Sequence, residues 1–297
     1  MKTNKFLSSM AGMMVAIGIT SCASGDDGFV QEGTYVHHEI SLTATMAATR
    51  AASDPQANVL NTTNKVGVYV THGTATIANG DNNEHSVAAN GDLTTANTMS
   101  YPAEDDAEVN IYAYAPWQSS WSYGAEKTFT VAADQSTDAG YLASDLLYAS
   151  RSATSQTSAV SLSFSHKLAR LALTVATDDG TTVADATIKI VGTKPSATLT
   201  LADGTISEAT GTAQDITIAS GINITAGQRQ TLYAIVVPQI IAANTPLIEV
   251  RDGGRVWKYH FTQAMSFVSG QSHSLSVGVS TSKVTSTISG EASEPAN

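Results

Sequence analysis

Residues 39–46 (EISLTATM) alternate strictly along the chain. Ile40, Leu42, Ala44 and Met46 fall on one side, and Glu39, Ser41, Thr43 and Thr45 on the other. A period of two marks a strand with one buried face, because successive side chains leave opposite sides of the pleated backbone. The pattern recurs at 66–70 and breaks at the turn-rich stretch 79–84 (NGDNNE), which lacks the carboxylate spacing of a calcium loop. Residues 109–115 place Val109, Ile111 and Ala113 on one face and Tyr112 and Tyr114 on the other. Pro116 then stops the strand, since its nitrogen has no proton for a ladder. Another strand is predicted at 127–132, whereas 150–160 is rich in Ser and Thr without apolar periodicity and reads as a linker between domains.

After that stretch the apolar residues of 160–174 predict a strand that bends near His166-Lys167. Further strands are expected at 186–191, 197–201, 215–219, 230–237, 246–251, 255–261 and 273–279. Asp252-Gly253 between two of these runs is a strong hairpin signal. Two blocks of about seven short strands each predict an all-β fold of two β-sandwiches in series. The expected boundaries are 51–155 for the first, 156–280 for the second and 281–297 for a tail.

Composition agrees with an extracellular all-β chain: of 297 residues, charged residues make up 14% and aromatic ones 6%. The net charge of −11, with no Lys/Arg cluster, argues against nucleic acid and anionic lipid as partners. The first residues change the picture. Lys2 and Lys5 precede a short apolar run at 11–19, and small residues lead to Cys22, the sole cysteine. That order predicts a lipoprotein signal peptide over 1–21, with Cys22 lipidated and first in the mature chain. Residues 22–50 then form a propeptide that carries the alternating strand. Arg50, between Ala47-Ala48-Thr49 and Ala51-Ala52-Ser53, is the only Lys or Arg between Lys5 and Lys65. It suits a protease that reads a guanidinium, and it equally suits a solvated loop arginine.

Catalytic chemistry has no constellation behind it. The seven histidines form no HExxH or compact metal spacing, and no nucleophile elbow or phosphate loop occurs. The chain is therefore expected to be no enzyme and to hold neither metal nor cofactor. Trp117 and Trp121, in the loop after Pro116, either cover one end of a sandwich or offer a stacking platform to a glycan. The second reading would make the protein an anchored surface lipoprotein that binds glycan or host protein.

Four places resemble the fimbrillin family, the FimA/Mfa-like pilins of Bacteroidales that build type V pili. They are the Cys22 lipobox followed by Thr49-Arg50-Ala51; Tyr112–Pro116 (YAYAP) with Asp145–Ala149 (DLLYA) downstream; Phe164–Leu171 (FSHKLARL); and Tyr233–Pro238 (YAIVVP) with the final strand 270–279. Acidic Asp26 and Asp27 behind the cysteine also resemble surface-export tags of Bacteroidetes lipoproteins, beside the plainer reading of a polar tether. The resemblance implies two transthyretin-like domains, an outer-membrane lipid anchor, and cleavage between Arg50 and Ala51 by an arginine-specific protease. It further implies a fimbrium built with other subunits, as homo- or hetero-polymer, that supports adhesion. Loss of 22–50 would open an apolar groove for an extended segment of another subunit. Burying Ile40, Leu42, Ala44 and Met46 there would contribute on the order of 6–12 kcal/mol. The expected donor is the tail, with Val284 and Ile288 on one face, a thinner stripe than the strand it would replace.

Overall fold

The computed structural model describes residues 38–47, 60–103, 106–157 and 159–280. The first half contains β1 (Leu42–Met46), β2 (Lys65–His72), β3 (Ala75–Thr76), β4 (Asn83–Val87), β5 (Asp92–Thr94), β6 (Val109–Ala115), β7 (Lys127–Thr130), α1 (Asp138–Ser144), β8 (Leu147–Ala153) and β9 (Val160–His166). The second contains β10 (Ala169–Thr177), β11 (Val183–Thr193), β12 (Ser196–Leu199), β13 (Gln214–Ile224), β14 (Gln230–Val236), β15 (Gln239–Ile241), β16 (Pro246–Asp252), β17 (Arg255–His260), β18 (Met265–Phe267) and β19 (Ser272–Val279). The chain is all-β apart from the short α1, which Thr137 caps by accepting the Gly140 N–H. Seven residues are too few to give a sequence-level helical period, so α1 was not expected.

The first-half strands form a ring. Their order is β3-β2-β4-β5-β1-β9-β8-β6, and β6 returns to pair with β2. All of these pairs are antiparallel except β1 with β9. Alternation decides what each strand turns inward. Val66, Val68 and Val70 of β2, with Val109, Ile111 and Ala113 of β6, fill the ring together with Leu162 and Phe164 of β9.

The opposite faces of the same strands are also buried. Tyr69, Tyr114 and Tyr148 join a second core, built mostly by the later strands, with Tyr112 packed against it. Tyr114 fits because position 67 is glycine: a Cβ there would lie 2.3 Å from the tyrosine ring. In the second half, β14-β10-β19 and β13-β11-β16-β17 enclose Leu171 and Leu173 of β10, Ile188 and Ile190 of β11, and Trp257 of β17. The sequence β7 contributes to the first half pairs instead with β12, and β15 pairs with β18.

Two boundaries differ from the sequence reading. The stretch 150–160 is no linker: it ends β8 and begins β9, and the two strands pair through Leu147–His166 and Tyr148–Ser165. Its polar side chains face outward, and ladder hydrogen bonds between backbones do not need apolar ones. Residues 160–166 consequently belong to the first sheet, and the passage to the second falls at Lys167-Leu168 rather than at 155–156. The break there coincides with the bend expected at His166-Lys167.

Candidate functional site: a strand that closes the ring

Among the described residues, β1 is the element that joins β5 to β9. On one side it runs parallel to β9, with Leu42 to Met46 opposite Val160 to Phe164. On the other it is antiparallel to β5, through Leu42–Leu93 and Thr43–Asp92. Bonds outside the regular ladders extend both seams. Val160 N–H donates to Ser41 O (2.9 Å) and Ala47 N–H to Phe164 O (2.8 Å). Across the slot, Ile40 N–H donates to Met99 O (2.9 Å), Tyr101 N–H to His38 O (2.9 Å) and Ala44 N–H to Gly91 O (2.7 Å).

The side chains follow the alternation read from the sequence. Ile40, Leu42 and Ala44 are buried in the ring core, while Met46 is half-buried at its rim. Three full burials, one of them an alanine, contribute about 4–7 kcal/mol before ordering costs, less than four full burials would give. Gly91 is what lets the strand approach so closely. It adopts φ +88°, and a Cβ there would stand 2.8 Å from Ala44 O. Sequence reading missed this glycine, whose signal was the turn Ala88–Asp92 preceding a short strand.

The electrostatics of the slot are plain. Its inner face is apolar, and Glu39 and His38 at its entry are exposed. Next to β5, the buried His85 of β4 donates from Nδ1 to Asn83 O (3.0 Å), and burial holds its pKa below the ordinary imidazole value. At the far end of β9, buried His166 pairs through Nδ1 with Asp145 at 3.0 Å. This fixes the point where the chain crosses to the second sheet. Among the described residues, no group of three His, Cys, Asp or Glu side chains is placed to hold a metal ion.

The tryptophans do not make a platform. Trp121 is 8% exposed, with its ring stacked on Tyr114 at 4.5 Å between centroids. Trp117 is half-buried and donates its indole N–H to Asn82 O (3.2 Å). Trp117 thereby ties the 79–84 loop to the end of the ring, where Asn82 Oδ1 also accepts the Tyr114 hydroxyl (2.7 Å). Cys22, Arg50, Ala51, Val284 and Ile288 lie outside the described residues.

The sequence profile of a family described as fimbrillin-like matches residues 49–293. Among solved structures, a candidate cell adhesion protein from Bacteroides uniformis is similar at TM-score 0.61 and 24% identity, over 86% of this chain and 99% of that one. One from Bacteroides ovatus is similar at TM-score 0.62 and 17% identity, over 82% and 92% respectively. One from Bacteroides thetaiotaomicron reaches TM-score 0.51 at 15% identity, over 81% and 92%. At these identities the likeness concerns the fold. No curated protein matches the chain.

Proposed function

The chain belongs to the fimbrillin-like family, and from that premise we propose that it is a pilus subunit joined to its neighbours by strand exchange at the slot β1 fills. In this reading it is exported as a lipoprotein through Cys22 and cut between Arg50 and Ala51 by an arginine-specific protease at the cell surface. The two halves are then the family's tandem transthyretin-like domains, meeting at Lys167-Leu168, and the fimbrium supports adhesion.

The observation that carries the reading is the position of β1 in the ring. It is seated between two strands, β5 and β9, that do not pair with each other. Ala47, which donates to Phe164 O and is the last described residue of this segment, precedes Arg50 by three positions. A cut there removes the covalent link between β1 and the rest of the ring and leaves backbone bonds and apolar contacts to hold it. Those are interactions that an extended segment of another subunit reproduces: main-chain bonds supply strength and alternate side chains supply register. Departure of β1 exposes two strand edges and an apolar core, so the cut chain gains by taking up a new strand.

N-terminal mapping by mass spectrometry of protein recovered from the cell surface tests the proposal, together with assembly of Arg50→Ala. Mature chains beginning at Ala51, and loss of fibres in the variant, are the expected results. Chains that begin at lipidated Cys22, or an Arg50→Ala protein that polymerises normally, would overturn it. The first of those outcomes would leave a permanently anchored surface lipoprotein.

A further inference from the structure

The large hydrophobic side chains left exposed among the described residues are Ile240, at 73%, and Val268, at 40%. Both line one groove of about 550 Å³ on the second half, between the β15–β18 pair and the edge formed by residues 206–209. Half-buried Ile206 and buried Phe267 add to its apolar surface. Exposed aliphatic surface gathered in one place, rather than scattered singly, marks a contact surface. The groove is also shaped in advance. Gln239 accepts from Lys194 N–H at Oε1 (3.0 Å) and donates from Nε2 to Lys194 O (3.0 Å). Val268 N–H donates to His273 Nε2 (3.1 Å), so both walls are fixed before anything binds and little ordering is needed on contact.

The face carries both members of a fit. Ile240 keeps most of its surface in solvent and stands out from its wall, while Phe267 lies deep beside it. The rim is charge-balanced, because Lys194 and Glu208 are both exposed and of opposite sign. A two-fold axis through such a face sets Ile240 of each copy into the groove of the other, and each Lys194 against the opposite Glu208. With a net charge of −11 the chain repels copies of itself, and that repulsion is least where a face is apolar and carries equal charges. A strongly charged partner gains nothing from this rim, whereas a second copy gains the same ion pair twice.

We infer that this groove is the isologous interface of a homodimer, with Ile240 of each copy packed against Ile206, Phe267 and Val268 of the other. Strand exchange is head-to-tail, open-ended and located in the ring. The dimer contact lies on the second half and closes on itself, so it pairs two subunits side by side. The inference does not depend on strand exchange at β1.

Sedimentation velocity of uncut protein, in which β1 still fills the slot, tests it over a wide range of concentration. A reversible monomer–dimer equilibrium without larger species is expected. Ile240→Asp acts on both sides of the axis and should raise the dissociation constant about a hundredfold, tenfold for each copy. Ile240 is exposed, and an unchanged thermal melt verifies that the variant is folded. Lys194→Glu and Glu208→Lys should each weaken the dimer, and the double variant should recover it, as reciprocal pairing across the axis requires. Monomer at every concentration overturns the inference, as does a dimer indifferent to Ile240→Asp or a double variant no better than the singles. A series of larger species overturns it too, since an isologous contact closes at two copies. A dimer lost on truncation after Ser280 also overturns it, and would assign the groove to residues 281–297. Each of these outcomes leaves cleavage at Arg50 and exchange at β1 standing.

Discussion

The two halves of the molecule enclose their cores by different means. In the first, seven strands are hydrogen-bonded in a ring, and one of the seven, β1, pairs with a strand more than a hundred positions later in the chain, as the Thr45–Leu162 contact across 117 residues shows. In the second, two sheets pack face to face and their outer strands are tied by side chains. Trp257 on β17 donates from its indole to Ser280 O (2.9 Å), and the Tyr259 hydroxyl donates to Gly278 O (2.9 Å) beside β19. The ring has fewer edges but depends on one terminal segment, and the sandwich keeps its edges and distributes the closure. On this geometry, departure of β1 alone opens the first half while leaving the sheets of the second intact.

The sharpest way to break this comparison is Leu42→Ala. It should cost about 2–5 kcal/mol in denaturant unfolding, from the lost burial and the cavity left behind. Amide exchange should accelerate across 160–164 while 230–236 stays protected. If both segments lose protection together, the halves open as one unit and the comparison falls. Gly91→Ala attacks the same strand through the backbone. A side chain at positive φ that also meets Ala44 O should cost about 2–3 kcal/mol, and release of β1 after cleavage should quicken in a pull-down of the cut chain.

Trp257→Phe is the counterpart in the second half. Loss of the bond to Ser280 O should cost about 1–2 kcal/mol, with faster exchange confined to 272–279 and the 160–164 amides unmoved. The smallest effect concerns pH. His85 has its folded pKa lowered by burial, so the unfolded chain binds the proton more readily. The stability this contributes is fully present above the unfolded value of about 6.5 and declines as pH falls below it, by at most about 1.4 kcal/mol per pH unit. His85→Gln should flatten that slope in chemical denaturation series at pH 7 and pH 5.5, and an unchanged slope would assign the acid sensitivity elsewhere.

Much of the fold was legible in the sequence, and the failures have a common cause. Period-two runs gave the strands at 65–72, 109–115, 246–252 and 255–260 nearly to the residue, because alternation is imposed by the pleat of each strand by itself. The inward residues of β1 were read correctly for the same reason. The expected linker at 150–160 failed because an exposed strand needs no apolar period, and its identity rests on the backbone of a partner. The tryptophan platform was a reading of residue type, whereas Trp121 is committed to Tyr114 from across the loop.

The sequence by itself determined that the chain is all-β, where most strands begin and end, and which face of each turns inward. It also carried the family resemblance in its order of motifs. Tertiary structure alone decided that β1 closes a ring between β5 and β9, that Tyr69 and Tyr114 face a second core rather than solvent, and that Ile240 and Val268 remain uncovered. A local period fixes the direction of a side chain relative to its own backbone. Which distant segment it meets is set by the packing and hydrogen bonding of the whole set of strands, and no stretch of sequence contains that information alone.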